Sequence, residues 1–208
     1  MKITVFGGTG GTGRHVIDQA VAAGHEVTAV VRDASRLSRR DLDVVTADVR
    51  DPEAIGAAVA GRDAVISALG ARGREPATIC TEGTAAIAAA MAAHGVRRLL
   101  VVSNSGMIND AADGPLTHFV VKPLLSRILR EGWADMARME EVVRATRLDW
   151  TILRPPMLTE GPRTAAYRTA VNHTIRGGNR ISRADLADAL LRYLPDAGSI
   201  RQAIAIAN

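Results

Sequence analysis

Short apolar runs alternate with stretches of helical periodicity through the first half of the chain. Lys2–Phe6 reads as a buried strand, followed by a glycine-rich stretch at Gly7–Gly13. Residues 12–23 place Val16, Ile17, Ala20 and Val21 on one helical face, and Gly24 stops that helix. Glu26–Val31 and Asp43–Ala47 read as the second and third strands. Asp51 is positioned to cap a helix with Pro52 at its first residue, Ile55 and Val59 inward, and Gly61 at its end. Asp63–Ser67 is the fourth strand. Pro76 opens a long alanine-rich helix that closes at Gly95, and Arg97–Val102 is the fifth strand.

Strands separated by helices of this length pair in parallel through right-handed crossovers. The pattern predicts an α/β fold: a doubly wound, Rossmann-type parallel sheet with helices on both faces. The second half is less regular. Residues 117–147 read as helix, interrupted near Pro123 and Gly132. Trp150–Leu153 is a sixth strand, ended by Pro155 and Pro156. Ser182 and Asp185 have capping-box spacing ahead of a helix with Leu186, Leu190 and Leu194 inward. Ile204 and Ile206 alternate in a last strand. With no repeat or low-complexity linker, residues 1–208 are expected to form a single nucleotide-binding domain. Its small C-terminal portion, from about residue 154 to 208, would carry an acceptor site.

Composition narrows the function classes. Of the 208 residues, 47% are hydrophobic and only 3% aromatic, so Ala, Val, Leu and Ile must build the core. The net charge is +4, from 26 basic and 22 acidic residues, and Lys2 and Lys122 are the only lysines. Without a basic run or stacking aromatics, the excess of arginine fits a local phosphate site better than a nucleic-acid surface. Cys80 is the single cysteine, which excludes an intramolecular disulfide and fits a reducing compartment. No apolar run reaches the ~18 residues of a membrane span, and the N-terminus enters a strand directly. The expectation is a cytoplasmic protein, monomer or homodimer, with no nucleic-acid or membrane partner. His15, His25, His94, His118 and His173 lack metal-ligand spacing, so no metal is expected. Cys80 has no histidine near it in sequence and reads as core.

The glycine stretch satisfies two spacings. Gly8, Gly10 and Gly13 match G-x-G-x-x-G, and Gly7, Gly10 and Gly13 match G-x-x-G-x-x-G. A pyrophosphate site needs a tight turn, a backbone free of Cβ atoms and close helix–strand packing. Helix N–H groups then face the negative charge. The stretch follows a strand and precedes a helix, which is the context that gives the pattern meaning.

An NAD site of this kind carries an acidic residue at the end of the second strand, to hold the ribose 2′-OH. Here Arg32 follows Val31. Arg32, Ser35 and Arg36 offer two guanidiniums and a hydroxyl to a 2′-phosphate, with Asp33 capping the short helix after them. The cofactor expected is therefore NADPH. Asp48 and Val49 after the third strand would lie at the adenine edge, although helix capping competes equally for Asp48. Leu69, Gly70 and Arg72 after the fourth would pass under the pyrophosphate and ribose.

These residues resemble a family. Phe6–Gly13, Val31–Leu37, Ala47–Val49, Leu69–Gly70 and Ala93–Val96 match the atypical short-chain dehydrogenase/reductases of the NAD(P)H-binding, NmrA-like group. Within it they resemble the branch of biliverdin reductase B, the NADPH-dependent flavin reductase. Leu148–Thr151 with Arg154–Pro156, Gly161–Tyr167 and Ile181–Leu186 extend the match over nearly the whole chain. The resemblance implies that Thr9, Gly10, Gly11 and Thr12 hold the pyrophosphate. It implies that Arg32, Ser35 and Arg36 hold the 2′-phosphate, and that Pro155, Pro156, Met157 and Leu158 lie by the nicotinamide. Ser103 ends the fifth strand beside that group.

Two departures bear on chemistry. Many relatives use a serine after the fifth strand and a Tyr-x-x-x-Lys. Here Asn104 falls on the serine position with Ser105 next to it, and these two are the catalytic candidates. Tyr167 and Tyr193 come too late for the motif, and His118 and Lys122 copy its spacing with histidine in place of tyrosine. Histidines near the family's flavin pocket correspond to Met136 and Met157, which argues against tetrapyrrole reduction. Without a tyrosine acid, the acceptor should tolerate hydride before proton, as a flavin or quinone does. The expected function is NADPH-dependent reduction of such an acceptor. A redox sensor that binds NADPH without turnover is the rival. The short C-terminal half argues against a sugar-nucleotide epimerase or dehydratase.

Overall fold

The computed structural model describes residues 1–39, 41–71, 78–107 and 130–208. Strands β1 (Lys2–Phe6), β2 (Glu26–Val31), β3 (Asp43–Thr46), β4 (Ala64–Ser67), β5 (Arg98–Val102) and β6 (Asp149–Arg154) lie in the order β3-β2-β1-β4-β5-β6. All pair in parallel. The order reverses between β1 and β4, the place where ligands bind in such sheets. Beyond β6 the sheet continues through β10 (Gln202–Ala207), parallel to β6, to β8 (Arg168–Val171), antiparallel at the edge. A separate two-stranded sheet joins β7 (Met157–Thr159) to β9 (Arg180–Ser182).

Helices cover both faces. On one, α1 (Gly11–Ala22) and α5 (Arg183–Tyr193) bury Val16, Ile17, Leu186 and Leu190 against Ile3, Val5, Ile66 and Leu100. On the other, α2 (Gly56–Val59), α3 (Ile79–Ala93) and α4 (Arg130–Ala145) bury Val59, Ile87, Met91 and Val143 against Phe6, Val65, Leu99 and Ile152. Because both faces are covered, the central strands are apolar on both sides, and no in–out alternation marks them.

The structure departs from the sequence pattern in three places. Asp51 does cap, accepting from the N–H groups of Glu53 and Ala54 at 3.0 and 3.1 Å, but residues 52–55 form turns and only Gly56–Val59 is helix. Helix α4 runs through Gly132 without the expected interruption, and Pro123 lies outside the described residues. Strands β7, β8 and β9 have no counterpart in the pattern, being three or four residues long and, in β8, mostly exposed.

The capping box at α5 is half formed. Ser182 Oγ accepts from Asp185 N at 2.9 Å. The fully buried Asp185 carboxylate does not reach back to Ser182. It accepts from the N–H groups of Thr164 and Ala165 (2.6 and 2.8 Å), from Thr164 Oγ1 and from Asn208 Nδ2. Asp188 adds Tyr167 Oη and the Arg163 guanidinium. Two aspartates of one helix thus strap residues 163–167 in place.

Candidate functional site

A cleft of about 350 Å³ opens along the carboxyl ends of five strands. At roughly 4.8 Å per strand, β2 to β6 in the order β2-β1-β4-β5-β6 spans about 19 Å. Its walls are Arg32 after β2, the glycine loop after β1, Ala68–Ala71 after β4, Ser103 and Asn104 after β5, and Pro155 and Pro156 after β6. Leu158 of β7, Met136 of α4 and Arg183 of α5 close it.

The loop is shaped by two close approaches. Gly7 has φ +78°, and a Cβ there would lie 2.4 Å from the Ala68 carbonyl oxygen. A Cβ on Gly13 would lie 2.2 Å from the Gly7 oxygen. Gly13 therefore packs the helix onto the strand, and it does not line the cleft. Gly7, Thr9, Gly10, Gly11 and Thr12 do line it. Gly10 is the N-cap of α1 and supplies no side-chain cap, so the first N–H groups of the helix are left to a ligand. An uncapped helix N-terminus opening on a cleft is an anion site, and this one fits a dinucleotide pyrophosphate.

At the β2 end, Asp33 caps the short 3₁₀ turn Ala34–Arg36, accepting from Ser35 N at 2.9 Å and Ser35 Oγ at 2.7 Å. Those two bonds hold the Asp33 carboxyl below its ordinary range. Arg14 Nη2 donates to the Arg36 carbonyl, tying this turn to α1. Arg32 lines the cleft. Ser35 and Arg36 stand exposed on the following turn, outside its lining. After β3, Val49 is buried in the wall, whereas Asp48 is exposed and forked onto Arg50 at 3.0 and 2.6 Å. That pairing pulls the Asp48 carboxyl down to about 2. Asp48 also accepts from Arg50 N at 3.0 Å, a local turn and no helix cap, and of the two residues only Val49 lines the cleft. Leu69 and Gly70 line the cleft, and Arg72 lies outside the described residues.

Of the two catalytic candidates, Asn104 lines the cleft, its Oδ1 accepting from Gly106 N. Ser105 does not; its backbone N–H donates to the Pro155 carbonyl at 2.9 Å and fixes the two loops together. His118 and Lys122 lie outside the described residues. Met157 is 65% exposed, because alternation along β7 turns Leu158 in and Met157 out. Met157, expected by the nicotinamide, is thus outside the cleft lining, and Leu158 alone of that pair lines it. Tyr167, Tyr193 and Met107 are not part of the lining. Cys80 is buried; desolvation, reinforced by Asp135, pushes its thiol up to about 12, so it is no nucleophile.

Sequence reasoning missed two groups. Glu140, buried on α4, accepts from Ser103 Oγ at 2.7 Å, from Arg154 Nε at 2.8 Å and from Arg144 Nη2 at 3.1 Å. Burial would raise its carboxyl, but the guanidinium of Arg154 and the Ser103 hydroxyl override that and hold it below the usual range. The signal was present: Met136, Met139, Glu140 and Val143 form one stripe at helical spacing, with a carboxylate in it. Arg183 is the other. Its partner in the fold, Gly11, is far away in sequence, and no local pattern joins them.

The model of the family described as NAD(P)H-binding matches residues 7–197. YwnB of Bacillus subtilis strain 168, an uncharacterized protein, is 30% identical over 203 residues, 93% of this chain and 92% of that one. A 3-diazoavenalumate denitrifying reductase from a Streptomyces species is 36% identical over 184 residues. That match covers 81% of this chain and 59% of the reductase. A structure from Streptococcus pneumoniae, described as a proposed NADH-flavin reductase, superposes with a TM-score of 0.81 at 24% identity, over 100% of this chain and 99% of that one.

Proposed function

This chain belongs to the NAD(P)H-binding family, and on that premise we propose that it is an NADPH-dependent reductase of a flat, delocalised acceptor such as a flavin or quinone. One observation carries the reading. A single cleft joins an uncapped helix N-terminus and a guanidinium at one end to a flat apolar wall at the other. NADPH, when bound, supplies the hydride.

The chain's own residues bind and orient. The α1 N-terminus with Thr9–Thr12 holds the pyrophosphate, and Arg32, supported by Ser35 and Arg36, favours the 2′-phosphate. Pro155 and Pro156 offer no backbone N–H and make a rigid wall for a planar ring. Leu158 and Met136 exclude water above it, and Asn104 gives an amide to orient the acceptor. Residues from about 154 to 208 form the acceptor side. Neither tyrosine of the chain lines the cleft, which favours an acceptor whose anion is stabilised by its own delocalisation over a carbonyl that needs an acid. The reductase relative supports small-molecule reduction as the class of activity.

A panel of flavins, quinones, aldehydes and sugar nucleotides, read by loss of NADPH absorbance, tests this. Turnover is expected with flavins or quinones and not with sugar nucleotides. NADPH binding without oxidation by any acceptor would favour the sensor instead.

A further inference from the structure

Arg183 is the first residue of α5, and its side chain crosses to a second helix. A Cβ on Gly11, the first residue of α1, would lie 2.6 Å from both Cδ and Nε of Arg183. The stem of Arg183 therefore lies directly over the N-terminus of α1, within the cleft. A cation is the wrong charge for that place. The helix N-terminus carries roughly half a positive charge, and its own N–H groups are uncapped. The arrangement is electrostatically unfavourable unless an anion sits between guanidinium and helix. In the structure the anion at hand is Glu160, whose Oε1 accepts from Arg183 Nη1. Glu160 is 75% exposed, so this pair is weak and easily exchanged.

The backbone beneath Arg183 is fixed. Ser182 caps α5, and Gln19 Nε2 of α1 donates to the Ala184 carbonyl at 2.9 Å. The guanidinium is thus presented to the loop by a packed pair of helices and tethered by an exposed carboxylate. A side chain on Gly11 would have to displace the Arg183 stem.

We infer that Arg183 is a ligand of the cofactor's pyrophosphate, closing over it opposite the α1 N-terminus, and that Glu160 holds its guanidinium until the phosphates displace that carboxylate. The inference rests on the dinucleotide reading of the cleft. It divides the cofactor contacts into two kinds. Arg32 reads the 2′-phosphate, which only NADPH has, whereas Arg183 reads the pyrophosphate, which NADPH and NADH share.

Equilibrium titration calorimetry, without acceptor and so without turnover, tests it with three probes: NADPH, NADH and 2′-AMP, which lacks the pyrophosphate. Arg183→Met keeps the stem over Gly11 and removes the charge. It should weaken NADPH and NADH alike by ~10-fold or more and leave 2′-AMP unchanged. Glu160→Gln should tighten NADPH about two- to fivefold, and that gain should vanish in the Arg183→Met background. If Arg183→Met does not fold, Arg183→Lys keeps the charge without the fork and should give a smaller loss for both dinucleotides. Unchanged NADPH affinity in a folded Arg183 variant, or a loss of 2′-AMP in step with NADPH, overturns the assignment of Arg183 alone. Failure of the wild type to bind any of the three overturns the dinucleotide reading itself.

Discussion

The hydroxyl of Ser103 donates to the buried carboxylate of Glu140 across 2.7 Å, behind the wall of the cleft. The same carboxylate takes both nitrogens of the Arg154 fork, so the ends of β5 and β6 are joined through one residue of α4. Asn104 and Pro155, the next residues on those two strands, face the cleft. The position of that end of the cleft thus depends on an ion pair neither member of which lines it.

Removing one partner of a buried ion pair leaves the other uncompensated. Glu140→Gln should cost about 3–5 kcal/mol at neutral pH, measured by urea unfolding. The sign with pH follows from the lowered carboxyl. Its stabilisation is complete above the unfolded-state value of about 4.3 and is lost as pH falls through the lower folded value. Wild type and variant should therefore draw together in stability only as pH falls below the unfolded-state value and through the lower folded one. A gap that persists unchanged into acid would show that shape, and not charge, makes the difference.

Arg32 should set cofactor choice. Loss of one charge-assisted contact is worth roughly 1.5–3 kcal/mol, or about tenfold or more in affinity. Arg32→Ala should weaken NADPH by that factor and leave NADH nearly unchanged in a binding titration. Equal affinity of the wild type for the two cofactors would contradict the role given to Arg32.

The fold was legible in the sequence wherever burial and turn chemistry repeat. Strands β1, β2, β4, β5 and β6 are buried along most of their length, and Gly24, Gly61 and Gly95 follow their helices with φ of +70° to +78°. Strands β7 and β9 were not legible, because three residues are too few to show a period. The glycine loop was legible because one local stretch makes the whole turn. Arg183 was not, since its meaning depends on α5 packing against α1. The outward turn of Met157 was not legible for a simpler reason: Pro155 and Pro156 end one strand, and the start of another straight after them sets which side chain faces in.

The opposite orientations of Met157 and Leu158 give a test of the pocket. Leu158→Trp should fill the acceptor end of the cleft, raising the acceptor KM or abolishing turnover while NADPH affinity holds. Met157→Trp, at an exposed position, should alter stability by less than about 0.5 kcal/mol and leave acceptor kinetics intact. The opposite ranking of the two variants would return Met157 to the pocket.

An anaerobic single turnover tests the central claim most directly. Enzyme in excess is mixed with equal amounts of NADPH and FMN, and the absorbance of both is followed in time. The account predicts that NADPH loss and flavin bleaching proceed together, with one rate constant and equal amplitude, far faster than without enzyme. NADPH that binds and then persists beside oxidised flavin, with the same result for a quinone, would contradict it.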